Sequence, residues 1–155
     1  MLGAGLGLLA LSFVPLWGRV SFEAFPKSAR ADLPKGIVPG TSEGFDAWSP
    51  AFGVLLRIAL VLAAAIVVLA TARLVSPTLR IPSRSSLYMV LAGITLLLIV
   101  LVLLTGPTAG GVEPGEAARA GIDLGRDVMT LLAPLMAAAL LYGAVLHARG
   151  AGARA

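Results

Sequence analysis

Cysteine is absent from the 155 residues, and histidine occurs once, at position 147. Without a thiol there is no thiolate metal site, cysteine-held iron–sulfur cluster or CxxC redox pair, and a single histidine cannot ligate a haem from both faces. Charge is scarce as well. Asp, Glu, Lys and Arg make up 13% of the chain, about half the roughly 25% of soluble domains. The sequence pI of about 10.4 comes from twelve Lys and Arg against eight acids, without the clustered basic face that nucleic-acid binding needs. No GxxxxGK[ST], HExxH, GxSxG or GxGxxG pattern occurs, so no phosphate loop, zinc helix or nucleophile elbow can be named. What fills the chain is apolar: 58% of residues, with a mean hydropathy of +0.95. A soluble domain of ~150 residues buries only about 70% of the surface it exposes unfolded. That much apolar surface belongs in lipid.

The apolar residues fall into four runs, predicting an all-α integral membrane protein, a single membrane domain over 1–155. The first span is 1–17, MLGAGLGLLALSFVPLW, free of charge and about 25 Å long as a helix, against a ~30 Å hydrocarbon core. The others are 51–72, interrupted only by Arg57, then 87–104, and 128–146, which contains Pro134. All four are apolar all round, as spans are and amphipathic core helices are not. The first run has no basic residue before it, and the Ala29-Arg30-Ala31 triplet lies far beyond it. It is therefore expected to be a retained helix and not a cleaved signal peptide. No polar anchor precedes it, a feature consistent with a start further upstream.

Lys and Arg density near the spans sets the orientation. The loop 73–86 carries Arg73, Arg80 and Arg84 with no acid, and the tail 147–155 carries Arg149 and Arg154 with none. All eight acids lie in the loops 18–50 and 105–127. The acid-free segments are therefore expected in the cytoplasm of a bacterial cell, with both termini, and the two long loops outside. The result is a four-transmembrane-helix antiparallel bundle, N-in and C-in, capped by the long extracytoplasmic loop after helix one. The secondary structure of that cap stays open, since Ser21-Phe22-Glu23-Ala24-Phe25 fits strand or helix equally. Helices two and three, joined by the short loop, should be neighbours. Trp17 and Trp48 would anchor the outer boundary and Tyr88 the inner one, with their rings at headgroup level.

Arg57 is the one formal charge well inside a span, where arginine costs roughly 2.5–3.5 kcal/mol. Its long stem allows it to snorkel. Asp127 starts helix four on the same side, so an ion pair between Arg57 and Asp127 is the expected structural contact, with Asp123 or Asp46 as lesser candidates. Gly3 and Gly7 form a GxxxG, Ala139 and Gly143 a small-xxx-small pair, and Ala63 to Ala65 a further close-approach surface; these faces are expected to pack. Pro134 should kink helix four. His147, at the cytoplasmic end of that helix, complements its dipole; no second ionisable group is expected inside the membrane at its depth. Glu113 and Glu116 lack metal-ligand spacing.

The motifs SFVPLW at 12–17 and FDAWSP at 45–50 resemble those of small four-helix membrane proteins of actinobacteria, which end helix one in an F-x-P-W-like turn and place A-W before helix two. Leu16, inserted between Pro15 and Trp17, departs from that pattern. The Ala- and Arg-rich, Lys-poor composition agrees with a high-GC source. The resemblance implies no catalytic residue and no cofactor. The expectation is a non-catalytic accessory subunit or assembly scaffold of a larger membrane complex, whose partners are lipids and other membrane subunits or a second copy. Two alternatives stand beside it. One is a small oligomeric transporter or channel using Arg57 and Asp127. The other is a lipid-binding or lipid-modifying envelope protein using the outer acids Glu23, Asp32, Glu43 and Asp46.

Overall fold

The computed structural model describes residues 1–21, 42–76, 85–107 and 123–152. Four helices dominate: α1 (Leu2–Ser12), α2 (Gly53–Val75, entered through a 3-10 turn at Pro50–Phe52), α3 (Ser85–Thr105) and α4 (Val128–Gly152). Between them lie three short strands, β1 (Gly18–Ser21), β2 (Ser42–Phe45) and β3 (Asp123–Arg126). α2, α3 and α4 are long and apolar enough to cross a membrane. α1 is not. Its 11 residues extend about 17 Å, roughly half a hydrocarbon core, and the helix ends at Ser12, inside the segment 1–17 expected as a span.

The reason lies in residues 12–16. Pro15 disfavours helical backbone at Val14, and the Ser12 hydroxyl turns back to donate to the Leu9 carbonyl at 2.6 Å. The Phe13 and Val14 N–H groups close the helix onto Ala10 and Leu11, and Leu16 N–H then bonds the Val14 carbonyl at 2.8 Å in a tight turn. α3 stops by a different device. Gly106 takes φ +75° and returns its N–H to the Val102 carbonyl at 2.9 Å, followed by Pro107, the left-handed cap that glycine adopts without penalty. α4 runs continuously through Pro134 and past His147.

α1 packs against α2 and α4, and α3 packs against the same two. Nearly every residue on these faces is apolar, so size decides which way each helix turns. The buried positions of α2 are Leu56, Ala59, Leu60, Ala63, Ile66, Val67 and Ala70; those of α3 are Tyr88, Ala92, Thr95, Ile99 and Val102; those of α4 are Thr130, Ala133, Ala137, Leu140 and Ala144. The α3 and α4 series alternate steps of three and four, the 3.5-residue period of left-handed helix packing, and Leu56, Leu60, Ala63, Val67 and Ala70 repeat it in the wider face of α2. Alanine recurs in all three, letting backbones approach closely. The outward faces, with Val61, Val68, Leu97 and Leu135 exposed, are as apolar as the buried ones.

The strands form an antiparallel sheet in the order β2-β1-β3, with Gly18 opposite both Phe45 and Arg126. This amends the all-α expectation; of the segment Ser21 to Phe25, open between strand and helix, Ser21 ends β1 and residues 22–25 lie outside the described residues. β1 leaves α1, β2 leads towards α2 and β3 leads into α4, so pairing them fixes three helices at one end. Glycine permits it: a side chain at Gly44 would collide with the Pro15 carbonyl, and one at Gly18 with the Phe45 ring.

Candidate functional site

The sequence motifs 12–17 and 45–50 meet at the sheet. Ala47 N–H bonds the Ser12 carbonyl at 3.0 Å, and Trp17 N–H bonds the Phe45 carbonyl at 3.1 Å. The Trp48 indole N–H donates to Ser12 Oγ at 3.0 Å, and its ring stacks on Phe13 with centroids 5.7 Å apart. Trp48 N–H closes a local turn on the Asp46 carboxylate at 3.0 Å. The two motifs form one structural joint.

Trp17 is its centre. The indole is 1% exposed, donates Nε1–H to the Leu11 carbonyl at 2.7 Å and meets Phe52 edge-on at 6.2 Å. Its own carbonyl accepts the Asp127 N–H at 3.2 Å and the buried Thr130 hydroxyl, while Leu16 accepts Met129 N–H at 3.0 Å. An anchor at headgroup level was expected; the side chain is instead a core pin joining α1 to α4. Tyr88, 2% exposed, is likewise inside, with its ring edge-on to His147 at 5.7 Å. Trp48 is half-buried. Indole and phenol rings suit an interface, but they also supply the largest packing surfaces a chain with few aromatics has.

Arg57 does not pair with Asp127. Its Nη2 donates to the Trp48 carbonyl at 3.1 Å, and its Nε is buried with no hydrogen-bond partner among the described residues. Asp127 takes Arg19 at 3.5 Å, the only ion pair among the described residues, and caps Val128 N–H at 2.7 Å. The pairing of β1 with β3 brings Arg19, and not Arg57, to Asp127. Arg126 lies over Gly106 and donates to the Leu104 carbonyl at 3.2 Å, a cation at the negative end of α3. Asp46 serves its own turn. Glu43 and Asp123 are described in their backbone only, and Glu23, Asp32, Glu113 and Glu116 lie outside the described residues.

The packing glycines divide. A Cβ on Gly7 would reach Met136 at 2.6 Å, and one on Gly143 would reach Met1 at 2.5 Å, so both sit at close approaches. Gly3 faces open space and Ala139 is exposed. Gly5, outside the motif, is the tightest point between α1 and α2, with Val67 2.5 Å from where its Cβ would stand.

At the opposite end a cavity of about 480 Å³ is lined by Met1, Leu2, Ala70, Arg73, Leu74, Tyr88, Gly143 and His147. Two helices begin here and two end. Arg73 Nη1 lies 3.1 Å from His147 Nε2. A guanidinium has no lone pair to offer, so Nε2 is the acceptor and a neutral His147 carries its proton on Nδ1. Arg149 was the neighbour expected beside His147; Arg73, from the end of α2, is the one it meets. The signal was the matching position of both residues near the ends of α2 and α4, visible only once the helices are aligned by depth. No group of three His, Asp or Glu side chains fit to hold a metal occurs among the described residues. Comparison with protein-family models, curated proteins and solved structures finds no match to this chain.

Proposed function

We propose that the chain is a non-catalytic multi-pass membrane protein that acts as an accessory subunit or assembly scaffold of a larger membrane complex. In this reading the four helices form an antiparallel bundle in the bacterial plasma membrane, with both termini cytoplasmic and the sheet outside. The observation that carries it is the use made of polar groups at the Trp17 end. Ser12, Trp17, Trp48, Thr130 and Asp127 each satisfy a backbone group of another part of the joint or hold the partner that does. These are the groups a transport or catalytic site would need free. A hydrogen-bonded joint over helices whose outward faces are mostly apolar suits a protein that presents surfaces to other spans.

The transporter reading has less support, since Asp127 is committed to Arg19 and to the start of α4, leaving no carboxylate in the described spans to couple an ion. Co-purification tests the proposal. A tagged full chain extracted in several mild detergents should migrate with a larger, reproducible set of membrane subunits. Recovery of the free monomer alone under all of them would refute it.

A further inference from the structure

The cavity at the His147 end is walled by Leu2 and Leu74 and by the Tyr88 ring, and beside it Gly143 lets Met1 rest directly against α4. Its volume of about 480 Å³ falls in the range of ligand-binding pockets. Its mouth is cationic. Arg73 lies in the last turn of α2, and among the described residues its only hydrogen bond is the one to His147, so N–H groups at Nε and Nη2 remain for a ligand. A neutral His147 with Nε2 accepting has Nδ1–H as its donor. Among the described residues no carboxylate lines the space. Two helix starts and two helix ends meet here, so the macrodipoles largely cancel and the side chains set the sign. The flanking segments carry Arg80, Arg84, Arg149 and Arg154 with no acid.

We propose that this cavity binds an anionic phospholipid, its phosphate held by Arg73 and His147 and the upper part of an acyl chain lying against Leu2 and Leu74. A basic pocket between spans, near the ends of the helices, is the setting in which headgroup phosphates are held. The apolar wall selects a lipid over free phosphate, which would leave that wall empty. The proposal rests on the membrane assignment and is independent of any partner complex, because it is measured on the isolated chain.

Native mass spectrometry of the detergent-solubilised full chain tests it. The probes are phosphatidylglycerol, phosphatidylcholine of the same acyl chains, and inorganic phosphate. Phosphatidylglycerol should be retained over phosphatidylcholine, and Arg73→Gln should weaken it about ten-fold, as loss of a charge-assisted contact implies. Arg73→Lys should restore most of the binding. Arg149→Gln, which removes a charge outside the cavity, should leave it within about two-fold, as expected for a screened surface charge. Equal retention of both lipids would overturn the proposal. So would displacement of phosphatidylglycerol by inorganic phosphate, or equal losses in Arg73→Gln and Arg149→Gln, which would reduce the effect to general attraction. If circular dichroism shows that Arg73→Gln does not fold, His147→Gln carries the test, and unchanged binding there overturns it.

Discussion

Replacing Trp17 with alanine separates a core pin from a lipid anchor. The indole is 1% exposed, its Nε1–H reaches the Leu11 carbonyl at 2.7 Å, and its edge meets Phe52 at 6.2 Å. Truncating a buried tryptophan costs about 3–5 kcal/mol, most of it lost packing and a cavity that neighbours only partly fill. Within that sum the aromatic contact accounts for about 0.5–1.5 kcal/mol and the hydrogen bond for about 1 kcal/mol. The backbone ties of residue 17 to Phe45, Asp127 and Thr130 survive the substitution, so the side chain alone is being measured. Trp17→Phe, which keeps a ring and loses the N–H, should cost about 1–2 kcal/mol. The assay is reversible unfolding in mixed micelles of mild detergent and SDS, followed by the fluorescence of Trp48, the one indole left of two. An indole lying among headgroups would have the same surroundings in folded and separated helices, and its loss would then change folding by less than about 1 kcal/mol. A value that small for Trp17→Ala would refute the placement of this residue in the core.

Three further outcomes follow from the same geometry. A double-mutant cycle of Arg57→Gln with Asp127→Asn should give a coupling below about 0.5 kcal/mol, and the exposed Arg19–Asp127 pair below about 1 kcal/mol; strong Arg57–Asp127 coupling would contradict the observed partners. Arg57→Met should leave stability within about 1 kcal/mol of the parent, since relief of a charge that costs roughly 2.5–3.5 kcal/mol inside a span offsets a charged hydrogen bond of about 1.5–3 kcal/mol. Gly5→Ala should destabilise by about 1–3 kcal/mol through the clash with Val67, whereas Gly3→Ala, facing open space, should be neutral or slightly stabilising; similar losses at both would argue against the α1–α2 contact. Because the chain has no cysteine, single introduced thiols report topology directly. Arg19→Cys should react with an impermeant maleimide in intact cells and Ser86→Cys only after lysis, and the reverse pattern would invert the proposed orientation.

Composition and hydropathy alone marked where the three helices long and apolar enough to cross a membrane lie. The reason is that a span places one demand on nearly all its residues, and Ala51 to Ala72 apart from Arg57, Leu87 to Leu104 and Val128 to Leu146 meet it. The same uniformity hides the rest. When all faces of a helix are apolar, hydropathy cannot say which face is buried; that was decided by the alanines and glycines that let neighbours approach, and Gly5 mattered more than the GxxxG around it. The end of α1 at Ser12 was not legible in hydropathy, because the turn that makes it depends on Pro15 and on carbonyls three residues back. The sheet left no period-2 signal, being three four-residue strands whose partners are distant in sequence. Only the tertiary structure joined Ser12 to Trp48, gave Asp127 to Arg19 instead of Arg57, and set Arg73 beside His147. Pairings of this kind depend on the relative depth and rotation of helices, which no single segment encodes.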